Sequence, residues 1–248
     1  MLRSLNHPNI SKLQDFVDPA PYFSNSAIRE SYFVVVPAAK DCLDRAVRDL
    51  RSLLPPEVDS DKFRPFFAAQ FLGQTADACA YLHEQGIMHR DLKPANVALQ
   101  PVNPSISPQS QHSILGAPGS AQFQVYIGQA KRAASSENHM VGTITYLAPE
   151  TMLLKDRPRP TSRAAAVPPY TSKVDIWALG LCCWQVLVGR TLTDNDQAMQ
   201  VAREVVEEFG QNPSNRLWGV VAEMLVQDCR TRISAREILQ RMDLDDQP

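Results

Sequence analysis

An aspartate, a lysine two residues on and an asparagine five residues on stand in the stretch His89-Arg-Asp-Leu-Lys-Pro-Ala-Asn-Val97. On one short loop Asp91, Lys93 and Asn96 would sit together. The trio suits phosphoryl transfer. The Asp91 carboxylate takes the proton of an attacking hydroxyl, the Lys93 ammonium steadies the moving phosphate, and the Asn96 amide oxygen holds a magnesium ion. Such a loop must be held between rigid elements. Behind it, Asn96-Val-Ala-Leu99 reads as a short strand. Ahead of it, Phe67, Phe71, Thr75, Cys79 and Leu82 recur at helical spacing, so a long helix is expected over Phe63–Glu84, ended by Gly86.

The remaining elements are less regular. Leu2, Leu5 and Ile10 with His7-Pro-Asn9 read as a helix end broken at proline. Tyr32–Val36 is β-branched and aromatic and reads as a strand, stopped by Pro37-Ala-Ala-Lys40. Cys42–Leu53 is expected to be helical, and Phe123–Ile127 alternates like a strand. Residues 101–122 are rich in Pro, Ser and Gln and carry no periodicity, which suggests a flexible surface loop; residues about 155–169 form a second, Pro/Arg/Ala-rich insertion. Downstream, Val174–Leu187 is apolar nearly all round and should be buried. Ala198–Phe209 is amphipathic. Leu217, Val220, Val221, Met224 and Leu225 mark another helix, and Ser234-Ala-Arg-Glu237 is a capping-box start for the last one. No internal repeat is evident.

The chain has 248 residues, 44% hydrophobic and 21% charged, enough for one domain with a sizeable core or two small lobes. A net charge of −2 and a pI near 6.2 give no global electrostatic reason to expect nucleic acid or a membrane as partner. The five cysteines, Cys42, Cys79, Cys182, Cys183 and Cys229, are scattered and contain no C-x-x-C pair. They are neither a disulfide framework nor a zinc site, and they fit a reducing compartment. The N-terminus lacks the apolar core of a signal peptide, and the most apolar stretch, Ile176–Val188, is too short to span a bilayer. The expected setting is intracellular, cytoplasmic or nuclear.

The form H-R-D-x-K-x-x-N resembles the catalytic loop of eukaryotic protein kinases, with Lys93 pointing to the Ser/Thr branch. Further motifs follow in kinase order. Gly142-Thr-Ile-Thr-Tyr-Leu-Ala-Pro-Glu150 is similar to the end of an activation segment, Asp175-Ile-Trp-Ala-Leu-Gly180 to the start of the central buried helix, and Asp228-Cys-Arg-Thr-Arg232 to the segment that supplies a buried arginine. The resemblance implies that Thr143 contacts Asp91 and Lys93, that Glu150 pairs with Arg232, and that Asp175 accepts backbone N–H bonds from the catalytic loop. It places His89 as a packing residue against Ile127, in an apolar column with Leu2 and Leu13. Arg90 and Lys131 are candidates for a basic pocket facing a phosphate on the activation segment, where spacing puts His139, with Ser135 and Ser136 further back. Val36 and Ala38 fall at the hinge that meets an adenine, and Ala98 and Asn96 also fall among the nucleotide-binding positions.

Two departures matter. Val125-Tyr-Ile-Gly-Gln-Ala-Lys131 stands where V-x-D-F-G-x-A-K would be, so Tyr126 occupies the place of the metal-binding aspartate, with Ile127 and Gly128 completing the triplet. A phenol does not replace a carboxylate as a magnesium ligand, and Asn96 alone is a poor magnesium site. The stretch Leu2-Arg-Ser-Leu-Asn-His-Pro-Asn-Ile10 resembles the segment just after helix C, so the glycine-rich loop and the V-A-I-K lysine have no counterpart in this sequence.

The fold expected from the resemblance is α+β and protein-kinase-like, with a mainly helical C-lobe and an incomplete N-lobe sheet. Residues 1–38 would be the N-lobe remnant (end of helix C, two or so strands, hinge) and 39–245 the C-lobe. The resemblance implies ATP-dependent phosphoryl transfer to protein hydroxyls, with ATP and Mg²⁺ as cofactors and protein substrates or signalling proteins as partners. The departures imply a catalytically impaired, pseudokinase-like chain. An active Ser/Thr kinase whose N-lobe is missing from this sequence and a non-catalytic scaffold are the alternatives.

Overall fold

The computed structural model describes residues 5–12, 15–17, 33–35, 39–102, 122–128, 142–152, 171–210 and 215–243. Two short strands, β1 (Asp15–Val17) and β2 (Phe33–Val35), pair antiparallel. A second sheet contains β3 (Asp41–Cys42), β4 (Val97–Val102) and β5 (Gln122–Ile127), antiparallel in the order β3-β4-β5. Helices make up most of the rest: α1 (Leu43–Asp49), α2 (Ser60–Glu84), the single turn α3 (Pro149–Met152), α4 (Lys173–Val188), α5 (Asn195–Phe209), α6 (Arg216–Met224) and α7 (Ala235–Asp243).

Apolar α4 becomes the centre because it has no polar face to give to water. Every residue from Val174 to Cys183 is buried, and α2 packs along it with Phe67, Phe71, Ala78 and Leu82 turned inward. Amphipathic α5 and α6 cover the core from outside, burying only one face each. Ser234 and Glu237 make the reciprocal capping box that starts α7: Ser234 N–H donates to Glu237 Oε2 at 2.8 Å and Glu237 N–H to Ser234 Oγ at 3.3 Å. All five cysteines are free.

Several expected boundaries move. α2 begins at Ser60, not Phe63, because Asp59 caps it by accepting from the N–H groups of Asp61 and Lys62. Its polar first turn carries no apolar periodicity, so the spacing that revealed the helix could not reveal its start. Strand β4 continues through Pro101 and Val102, and β5 begins at Gln122, so the expected loop over 101–122 is shorter at both ends. Proline is tolerated there because Pro101 lies opposite Phe123, whose carbonyl bonds away from β4, and β3 is too short to reach it. The rest of that expected loop, the insertion at about 155–169, and Leu2, Leu13, Val36, Ala38, Lys131, Ser135, Ser136 and His139 lie outside the described residues.

Candidate active site

The catalytic-loop residues sit between the end of α2 and the start of β4, over the N-terminus of α4. Asp175, in the first turn of α4 and 1% exposed, organises the loop's backbone. Its Oδ2 accepts the His89 N–H at 2.8 Å and its Oδ1 accepts the Arg90 N–H at 2.7 Å. The ring Nε2 of His83, on the last turn of α2, meets Oδ2 at 2.8 Å. Burial pushes the Asp175 carboxyl up. The hydrogen bond and charge of His83 and the Arg90 N–H outweigh that push and hold the carboxyl below its ordinary value.

Arg90 is the non-glycine residue with positive φ among those described, at 65°. Such a conformation is strained by about 1–3 kcal/mol in an L-residue, and its partners must fix it. Besides the bond to Asp175, the Arg90 carbonyl lies against Gly142: a Cβ built on Gly142 would come within 2.6 Å of the Arg90 oxygen, and Gly142 has φ 125°. Only glycine satisfies both conditions. Gly142→Ala should therefore separate the two loops and cost about 1–3 kcal/mol. Chemical denaturation would show it, and an unchanged midpoint would refute the argument.

The close fit at Gly142 delivers the next residue to the carboxylate. Thr143 donates to Asp91 Oδ1 through its N–H at 3.1 Å and through its hydroxyl at 3.0 Å. Lys93 Nζ donates to the same Thr143 hydroxyl at 2.6 Å and stands 3.8 Å from Asp91 Oδ1. On the other side, Asn96 Nδ2 donates to Asp91 Oδ2 at 3.0 Å and to the Asp91 carbonyl at 2.7 Å. Asp91 is thus oriented by donors on both oxygens while its side chain stays 20% exposed. A carboxylate so held, beside an ammonium, is placed to receive a proton from a hydroxyl at the surface.

Strand β5 closes the other wall. Phe123, Val125 and Ile127 point into the core and are nearly or fully buried, whereas Gln124 and Tyr126 lie on the opposite, open face. Tyr126 pairs with Ala98, which pairs in turn with Cys42, so these three share that face. Gly128 N–H donates to the Asn96 carbonyl at 2.9 Å, locking the end of β5 beside the catalytic loop. His89 is 1% exposed, and its ring Nδ1 accepts the Asp91 N–H at 3.3 Å, consistent with a core position.

The segment 142–152 is tied down further along. Arg232, with a side chain fully buried, forms a two-pronged pair with Glu150 of α3: Nη1 to Oε1 at 2.8 Å and Nη2 to Oε2 at 3.0 Å. The guanidinium also donates to the carbonyls of Val226, Gln227 and Lys173 and lies 5.1 Å over the Trp177 ring. Asn195, at the start of α5, donates to the carbonyls of Ile144 and Leu147.

Sequence reasoning named Asp91, Lys93, Asn96, Thr143, Glu150, Asp175 and Arg232, and the structure brings the first four into one cluster and the last three into its supports. It missed His83, Asn195 and Gln74. Gln74 had a readable signal: it interrupts the inward stripe Phe67, Phe71, Ala78, Leu82 of α2, and a polar residue on such a stripe needs a hydrogen-bond partner.

Comparison with known proteins agrees with this architecture. The protein kinase domain model matches residues 1–242. The chain belongs to the protein kinase domain family. It is 27% identical over 241 residues to the serine/threonine-protein kinase PkaA of Streptomyces coelicolor, covering 96% of this chain and 37% of that protein. It is 26% identical over 258 residues to the ovarian-specific serine/threonine-protein kinase Lok of Drosophila melanogaster, covering 100% of this chain and 45% of that protein. The chain spans between 26 and 50% of the length of such curated relatives. Among solved structures, a chain of the yeast RNA Pol II CTD kinase CTDK-1 complex superposes with a TM-score of 0.60 at 16% identity, covering 100% of this chain and 79% of that one, which speaks to the fold alone. The fold is thus kinase-like, mostly helical, with a small three-stranded antiparallel sheet. Among the described residues no helix is long and apolar enough to cross a membrane.

Family membership implies ATP and Mg²⁺, so the donor set can be tested against the ion. Magnesium asks for hard, charged oxygen donors in near-octahedral order, commonly one or two carboxylates beside the substrate phosphates. Here Asn96 offers one neutral oxygen, its amide nitrogen being committed to Asp91, and Tyr126, across from Ala98, offers only a phenol. Among the described residues no three His, Cys, Asp or Glu side chains converge to hold a metal. The described residues do not fit the ion.

Proposed function

We propose that this chain is a protein kinase domain of the Ser/Thr type with impaired phosphoryl transfer, acting mainly as a pseudokinase-like module that binds protein substrates or other signalling proteins. In this reading residues 1–38 belong to the smaller lobe, with Val36 and Ala38 at the hinge, and 39–245 form the larger lobe. The observation that carries it is Tyr126 on the open face of β5, across from Ala98, where the family places its metal-binding aspartate. Electrostatic stabilisation of the moving phosphoryl group is most of what a protein contributes to this chemistry. A site with an oriented Asp91 and, among the described residues, no fitting cation site keeps the proton acceptor and loses the larger effect.

One observation favours a second reading, an active Ser/Thr kinase: Asp91, Lys93, Thr143 and Asn96 keep a connected hydrogen-bond network. Calorimetric titration of the chain with ATP, with and without Mg²⁺ or Mn²⁺, separates the two. The impaired reading expects no metal-dependent gain in affinity and no transfer to a generic protein substrate. Metal-dependent binding with transfer that disappears in Asp91→Asn would establish the active kinase instead.

A further inference from the structure

Gln74 stands on α2, away from the catalytic cluster, yet its amide touches the strand that carries Tyr126. Its Nε2 donates to the Phe123 carbonyl at 2.8 Å, and its Oε1 accepts the Val125 N–H at 2.9 Å. The same Oε1 accepts Asn9 Nδ2 at 2.8 Å, and that nitrogen also donates to the Val125 carbonyl at 2.9 Å. One step further, Ile127 N–H donates to the Asn9 carbonyl at 2.9 Å and Ser11 N–H to the Ile127 carbonyl at 3.0 Å.

These bonds have one logic. Antiparallel pairing uses the backbone groups of alternate residues. Phe123, Val125 and Ile127 turn theirs away from β4, so β5 has an outer edge with an N–H or C=O at each of them. Among the described residues no further strand of the sheet covers that edge. A glutamine amide carries the same donor and acceptor as a peptide unit, and Gln74 presents both to Phe123 and Val125 as a residue of a neighbouring strand would. Residues 9–11 supply the rest.

We infer that Gln74 is a positioning residue for the candidate site: it acts as a surrogate strand residue that fixes the register of β5, and with it the face on which Tyr126 sits. A slip of one residue would exchange the faces, turning Tyr126 into the core and Ile127 to the open side. The clamp is placed to prevent this. α2 carries Gln74 in its middle and His83 at its end, so one helix sets both walls: β5 through Gln74 and the catalytic loop through His83 and Asp175. This goes beyond the functional reading above and does not depend on whether nucleotide binds.

The test is residue-resolved amide hydrogen exchange on the full chain carrying Gln74→Met, which keeps length and loses both bonds to β5 together with the one from Asn9. Gln74→Glu, which keeps an acceptor for the Val125 N–H and loses the donor to Phe123, is the second variant. Amides of α4 report global opening. Gln74→Met should speed exchange at Val125 and Ile127 by about tenfold or more with α4 unchanged, and Gln74→Glu should do so less. Unchanged protection at Val125 and Ile127, or a loss of equal size throughout α4, would overturn the proposal in either variant.

Discussion

Asp175→Ala should cost about 3–5 kcal/mol of folding stability, a large part of the roughly 5–15 kcal/mol that holds an ordinary domain together. The reason is what remains behind. Asp175 is buried and satisfies two backbone N–H groups, those of His89 and Arg90, together with the His83 ring. Alanine leaves these groups without that acceptor, at about 1–3 kcal/mol for each buried one, and it frees Arg90 from a backbone conformation that its surroundings must impose. Asp175→Asn keeps the shape and one accepting oxygen, so it should lose less. The pH dependence has a definite sign. The folded-state carboxyl is held below its ordinary value of 3.8, so its stabilisation is present above that range and is lost as the pH falls through the lowered value. Urea denaturation of parent and Asp175→Ala chains should therefore differ most near neutral pH and converge in strong acid. A difference below about 1 kcal/mol at pH 7, a surface-like effect, or one that persists undiminished in acid, would contradict this account.

The pattern of what could be read beforehand follows from the same physics. α4 was legible because a helix with no polar face has to be central, and α2 because Phe67, Phe71, Cys79 and Leu82 keep helical spacing over many turns. The loop trio was legible because its roles demand particular side chains close together in sequence. The pairing of Glu150 with Arg232, 82 residues apart, came only with the family resemblance, since no local pattern links an acid to a distant arginine. The Gln74 clamp escaped because it joins a side chain to backbone groups 49 and 51 residues away, and backbone groups leave no trace in side-chain patterning. Helix and strand ends moved for a related reason: the Asp59 cap and the extension of β4 through Pro101 depend on where backbone N–H groups point. The rest of the first insertion, the whole of the second, and the hinge positions Val36 and Ala38 fall outside the described residues.

Tyr126→Asp should confer metal-dependent ATP binding on a chain expected to lack it, by about tenfold or more in affinity, equivalent to about 1.4 kcal/mol. Position 126 is pinned from both sides, by its pairing with Ala98 and by the Gly128 bond to the Asn96 carbonyl, so a shorter acid there keeps its place on the open face. It would add the charged oxygens that the Asn96 amide cannot supply alone. Without a cation the new carboxylate joins Asp91 in the same region, and like charges oppose each other. The variant should melt slightly below the parent in metal-free buffer. Added Mg²⁺ with ATP should raise its melting temperature and leave that of the parent unchanged. That crossing identifies the tyrosine as the lesion, because a general loss of the nucleotide site would leave both proteins unresponsive. A parent chain that already binds Mg-ATP as tightly as Tyr126→Asp would show that the phenol is no obstacle, and the intact network around Asp91 would then be the working part of an active kinase.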